Sequence, residues 1–233
     1  MVSIRELRKR TQSKRRGLLY TLHDYLAYFP AKLFLYTSLT ANQITVLWIV
    51  VQFAAALFMA TGDRVTMIIA LVVFQAMFII DCTDGIVARY KKQFTINGIY
   101  LDYIGHYVNN PTLLISLGYG VSLIQNNFWY LFVGIGAALA FLLNKAITLN
   151  IGWYTEKKHR IVAERSLHKS YVKNQNKLVY FVFEIMRIEY LFNAMFWGVL
   201  FGYAHIVLIV YAVFYVLELG RKMLSQFLHN TKN

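Results

Sequence analysis

The chain has 233 residues, 58% hydrophobic and 16% aromatic, with a mean hydropathy of +0.46. A soluble domain of this size is not that apolar, so the composition reads as a small multi-spanning membrane protein with about six spans and short loops. The net charge of +13, from 24 Lys+Arg against 11 Asp+Glu, falls in loops between apolar segments; it therefore indicates membrane topology and attraction to anionic headgroups, not nucleic-acid binding.

Residues 1–17 hold seven basic residues and one acidic one, and nothing in them continues into the apolar run and cleavage site of a signal peptide. Residues 18–39 are apolar and tyrosine-rich but interrupted by Asp24, Pro30 and Lys32. They read as one or two amphipathic helices lying in the interface, with a seventh span as the rival reading. The first clear span follows Thr40, a candidate cap, and runs to about Ala60, with Asn42 and Thr45 one turn apart near its start. Thr61-Gly62-Asp63-Arg64 makes a tight turn. The second span covers about 65–88 and the third about 97–121, where Asn109-Asn110-Pro111 marks a kink. The fourth covers about 128–150 and contains Gly134, Gly136, Asn144 and Lys145.

Residues 151–177 form a hydrophilic segment with seven basic and two acidic residues. The apolar stretch from Lys177 to Leu219 suits two spans, the fifth starting near Arg187, with a turn near Gly202-Tyr203-Ala204-His205. The chain thus divides into a basic N-terminus with an interfacial helix (1–39), a six-span domain (40–222) and a tail (223–233). Nearly all Lys and Arg lie in the N-terminus, the 89–95 turn, the 151–177 segment and the tail, while the opposite loops hold only Arg64. The positive-inside rule then puts both termini in the cytoplasm. The single cysteine, Cys82, excludes an internal disulfide and reads as a small packing residue.

The stretch from Ile80 to Asn110 places Asp81, Asp84 and Asp102 within or at the ends of apolar segments. A mid-membrane Asp costs about 2.5–3.5 kcal/mol, so three at full depth would cost roughly 8–10 kcal/mol. Something must offset them. Asp81 and Asp84 are i and i+3 on one helix, with Ala88 one turn further and Arg89 beside it. Gly98, Asp102, His106 and Asn109 share a face of the next, with Gly105 beside His106. Both faces flank one short basic turn and converge at one membrane surface, where carboxylates suit hard divalent cations such as Mg2+ or Mn2+.

This stretch resembles the signature of the CDP-alcohol phosphatidyltransferase family, membrane enzymes that make phospholipids and related phosphodiesters. That signature has two Asp three apart, Gly, two residues, Ala-Arg, about eight residues, Gly, three residues, Asp, three residues, Asp. Here Asp81, Asp84, Gly85, Ala88, Arg89, Gly98 and Asp102 match, and His106 stands at the last position. The Asn42 to Thr45 run resembles the start of the family's first span. The resemblance implies an all-α membrane transferase that moves a phosphatidyl or phosphoalcohol group from a CDP-linked donor to a hydroxyl, releasing CMP.

It further implies that Asp81, Asp84 and Asp102, with His106 at the fourth position, hold two Mg2+ or Mn2+ ions. Gly85, Ala88, Arg89, Gly98 and Asn42 would line the nucleotide pocket. His106 can act as a ligand, act as the base together with Asp102, or mark a site that has lost catalysis; its unperturbed pKa of about 6.5 suits proton abstraction near neutral pH. Lys145 either snorkels to the interface or, like Arg187, binds the acceptor. The donor is CDP-diacylglycerol with a small polar acceptor, or a CDP-linked small alcohol with a lipid or glycolipid acceptor. The expected place is a bacterial or archaeal cytoplasmic membrane, among membrane lipids, as a possible homodimer. A cation transporter or channel using the Asp cluster is the alternative from another class. A polyprenyl transferase fits poorly, since that family needs more spans and differently spaced Asp motifs.

Overall fold

The computed structural model describes residues 2–11, 18–93, 95–156 and 188–230, and among them the regular structure is helical throughout. Two N-terminal helices, α1 (Ile4–Thr11) and α2 (Leu18–Phe34), precede α3 (Ala41–Phe58), which ends in a 3-10 turn (Met59–Thr61). Then follow α4 (Arg64–Lys91), α5 (Ile96–Ile124), α6 (Trp129–Glu156), α7 (Ile188–Leu200) and α8 (Ala204–Asn230). Among the described residues, four segments are long and apolar enough to cross a membrane: Ala41–Thr61, Arg64–Lys91, Trp129–Ile147 and Ala204–Leu224. With 29 residues α5 matches them in length, but Asp102, His106, Asn109 and Asn110 fill its first half. The six apolar stretches are thus helical wherever they are described. The 151–177 segment lies mostly outside the described residues, and α8 continues as helix through the expected tail to Asn230.

Local chemistry sets the helix ends. Thr40 and Gln43 form a reciprocal capping box at the start of α3, the Gln43 amide donating to Thr40 Oγ1 (3.3 Å) and the Thr40 amide to Gln43 Oε1 (2.9 Å). Asp63 caps α4 by accepting from the Thr66 amide (2.8 Å) and hydroxyl (2.7 Å). The Thr66 amide, its hydroxyl and the Val65 amide hold the Asp63 carboxyl below the usual carboxylate range. Gly62, at φ 69°, makes the turn that an L side chain would strain. Pro111 sits inside α5 without interrupting it.

The N-terminal helices pack on the basic end of α4, the end joined to α5 through the turn at Lys92. The α2 residues Ala27, Tyr28 and Ala31 are buried with Leu7 of α1 and Cys82, Ile86 and Val87 of α4, and the Thr83 hydroxyl donates to the Ala27 carbonyl (3.2 Å). Leu22, Tyr25, Leu26, Phe29 and Leu33 are exposed along the opposite side of α2. Their spacing forms one apolar stripe, as an interfacial helix requires. Lys91, expected to act in topology, also ties the fold: its Nζ donates to the carbonyls of Phe34 (3.4 Å), Thr37 (3.1 Å) and Leu39 (2.8 Å).

At the opposite end the bundle closes on apolar side chains and glycines. Met67, Leu71, Phe74, Leu113, Leu114 and Leu117 are fully buried. At Gly118 an added Cβ would lie 2.9 Å from Gly134 Cα, so α5 and α6 touch backbone to backbone.

Candidate active site

Three helices meet at the basic end. After Lys92, held at φ 55°, the chain turns back so that the Gln93 amide donates to the Ala88 carbonyl (2.9 Å). Gln93 Oε1 accepts from the Ala41 amide (3.3 Å), which joins the turn to the start of α3. Thr95 then caps α5 through the Gly98 amide (2.9 Å). The α4 helix is 28 residues long, about 42 Å at 1.5 Å per residue, so it exceeds a hydrocarbon core of about 30 Å. Its excess length lets the last turns, which bear the acidic residues, approach the membrane surface.

This connection brings Asp81, Asp102 and His106 together. One ligand atom from each lies within 4.8 Å of the others. His106 Nε2 is 3.5 Å from Asp102 Oδ1 and 3.7 Å from Asp81 Oδ2, so the imidazole points between the two carboxylates. Side-chain exposure rises from 12% at Asp81 to 31% at His106 and 44% at Asp102, which opens the group towards the basic end. Two carboxylates and an imidazole at this separation fit a divalent cation in size, charge and donor type.

Asp84 is not part of that group. It is buried, and its Oδ2 accepts from the Thr45 hydroxyl (2.6 Å) and the Trp48 indole N–H (2.9 Å), both on α3. Trp48 also lies against His106, ring centroids 5.3 Å apart. The indole fits only because residue 105 is glycine: an added Cβ would come within 2.4 Å of Trp48 Cη2 and 2.6 Å of Ile49 Cγ1.

One turn deeper, Asn109 Nδ2 donates to the Ile49 carbonyl (3.1 Å) and Gln52 Oε1 (3.0 Å), and Gln52 Nε2 donates to the Phe74 carbonyl (3.3 Å). The sequence marks Thr45 as one turn from Asn42 and as the end of the run that resembles the family's first span, and it marks neither Trp48 nor Gln52. The 3-3-4 spacing of Asn42, Thr45, Trp48 and Gln52 is the signal that they share a face of α3.

The remaining expected residues divide. The Arg89 guanidinium lies 3.4 Å from where a Gly85 Cβ would stand, and the Asn42 carboxamide 2.6 Å from where a Gly98 Cβ would stand. These four residues thus form two close pairs around the turn, and Asn42 Nδ2 also donates to Thr95 Oγ1 (3.3 Å). Ala88 is half-buried against the cluster that holds Cys82 and Ile86. Cys82 is buried, as a packing residue would be. Lys145 is exposed on α6 with its ammonium 5.6 Å from the Phe141 ring centroid. Arg187 lies outside the described residues.

The chain belongs to the CDP-alcohol phosphatidyltransferase family, whose model matches residues 38–217. No curated protein matches it significantly. The chain is therefore a membrane transferase that moves a substituted phosphate group from a CDP-alcohol donor to an alcohol acceptor in lipid biosynthesis, and nothing supports the transporter alternative.

Proposed function

We propose that Asp81, Asp102 and His106 hold a divalent cation, Mg2+ or Mn2+, against the pyrophosphate of the CDP-linked donor. The observation that carries this is the convergence of their ligand atoms within 4.8 Å, from two helices, at the end of the bundle that opens outward. A bound cation would spread the negative charge that builds on the departing CMP. Gly85 and Gly98 admit the Arg89 guanidinium and the Asn42 carboxamide close to the backbone, so that Arg89 would meet phosphate oxygens and Asn42 the nucleotide. Ala88, half-buried beside Gly85, adds little bulk to the same pocket.

The acceptor hydroxyl gives its proton to His106 or Asp102, the more exposed members of the trio. Its oxygen attacks the phosphorus that carries the alcohol; the P–O bond to CMP breaks and CMP leaves with the bonding electrons. A phosphodiester results, with no covalent enzyme intermediate. Lys145 would assist the acceptor, a role that its level along α6 supports. From the Gly118–Gly134 contact to His106 is twelve residues of α5, about 18 Å, and the same length of antiparallel α6 reaches the level of Lys145. Arg187 is kept as an acceptor-binding candidate on its sequence position alone. The basic residues around Lys91, Lys92 and the N-terminus support a cytoplasmic site and cytoplasmic termini. Homodimerisation rests on the family resemblance.

The test is CMP release by the purified, lipid-reconstituted protein with Mg2+ or Mn2+. CDP-diacylglycerol, CDP-choline, CDP-ethanolamine and CDP-glycerol would each be offered with bacterial lipid extract and polar acceptors. Metal-dependent release from one donor, lost in Asp81→Asn, is expected and identifies the donor class. Release that persists in chelator, or in Asp81→Asn, would refute the assignment.

A further inference from the structure

The excess of Lys and Arg in the sequence points to anionic headgroups without saying which surface meets them. In α1 that charge is sorted by face. Leu7 and Thr11 are buried, Leu7 in one cluster with Ala27 and Ala31 of α2 and Ile86 and Val87 of α4. With about 3.6 residues per turn, Arg8, Arg5 and Lys9 lie roughly 100–200° around the helix from Leu7, and all three are exposed. Glu6, the one acid of α1, is engaged by Arg10 at 2.7 Å, so no acidic side chain of α1 is left for the three.

The surroundings add positive charge. The end of α4 on which α1 packs carries Arg89, Lys91 and Lys92, and the Arg10 guanidinium lies 5.7 Å from the Tyr90 ring centroid. Two basic segments packed together repel each other unless anions stand close. The Val2 amide donates to the Tyr36 hydroxyl (2.9 Å), which fixes the start of α1 to the chain just past α2. The exposed apolar stripe of α2 sets that helix at the boundary of headgroups and acyl chains, and α1, packed beside it, stands at headgroup level.

We propose that the Arg5, Arg8 and Lys9 face of α1 docks on anionic lipids of the surrounding leaflet, and that this contact holds α1 down on α4. A leaflet fits better than a soluble anion, because the α2 stripe already places the helix pair in it and it offers phosphates to all three side chains at once. Each Lys or Arg near an anionic surface contributes about fivefold, so the three together favour the docked helix on the order of 100-fold.

The test is hydrogen exchange at the α1 amides of the full chain, without substrate, in nanodiscs of phosphatidylcholine alone or of an equal mixture with phosphatidylglycerol. Exchange should be slower in the anionic discs, on the order of 10- to 100-fold. The difference should vanish in strong salt and in the triple variant Arg5→Gln/Arg8→Gln/Lys9→Gln, whose glutamines keep the helix propensity. Inorganic phosphate added to the phosphatidylcholine discs should not reproduce it. Equal exchange of the wild-type chain in the two discs would overturn the proposal, and that comparison needs no variant. So would a difference that survives in the triple variant while α3 to α6 exchange as in the wild type. Protection by inorganic phosphate alone would also overturn it and make the partner a soluble anion. None of these readouts involves turnover, so they stand or fall apart from the transferase chemistry.

Discussion

Gly105→Ala tests the packing that places the site. The added methyl would stand 2.4 Å from Trp48 Cη2, where ordinary contact begins at 3.4 Å, so the indole must withdraw by about 1 Å. A shift of that size along the N–H···O line would stretch the 2.9 Å bond to Asp84 to about 3.9 Å, beyond hydrogen-bonding distance. Overpacking of this kind costs about 1–3 kcal/mol, and a hydrogen bond to a charged group contributes about 1.5–3 kcal/mol. If the latter is expressed in the transition state, turnover falls on the order of 10- to 100-fold.

Trp48→Phe separates the two effects, because the smaller ring removes the indole part of the clash, leaving that with Ile49, and also removes the N–H. The Gly105→Ala/Trp48→Phe double variant should therefore be more stable than the sum of the singles, with a coupling of about 1 kcal/mol, while turnover stays low. Thermal unfolding in detergent and CMP release measure the two quantities. Additive unfolding shifts, or wild-type turnover in Gly105→Ala, would refute the reasoning.

Three further outcomes are expected. Gly98→Ala places a Cβ 2.6 Å from Asn42 Oδ1 and should raise the KM for the CDP-linked donor about tenfold, roughly 1.4 kcal/mol, with stability little changed; an unchanged KM would take Asn42 out of the nucleotide pocket. Gln52→Leu leaves the buried Asn109 amide and the Phe74 carbonyl each short of a partner and should lower stability by about 1–3 kcal/mol, as denaturant unfolding in detergent would show. The Asp63 cap should contribute stability above the unfolded carboxylate pKa and lose it as pH falls through the lower folded value. Asp63→Asn, an uncharged cap, should remove that part of the acid dependence, and an identical melting profile between pH 5 and 3 would dismiss the effect.

What the sequence determined by itself follows from helical periodicity. Asp81 with Asp84, and Asp102 with His106, lie one turn apart on their own helices, so their shared faces are local facts that composition and spacing reveal. The apolar segments, the Thr40 cap and the tight turn at Gly62 are legible for the same reason, and the fixed spacing from Asp81 to Asp102 was enough to indicate the family. The tertiary structure decided which partner each carboxylate receives. Thr45 and Trp48 are 39 and 36 residues from Asp84, and they reach it only because α3 packs across α4 and α5, a contact that Gly105 admits. Hydrogen bonding between helices depends on where each backbone lies to within about an ångström, and no periodicity within one helix encodes that distance. So the sequence shows four equivalent polar positions, and the fold separates them into an open trio and one buried, hydrogen-bonded aspartate.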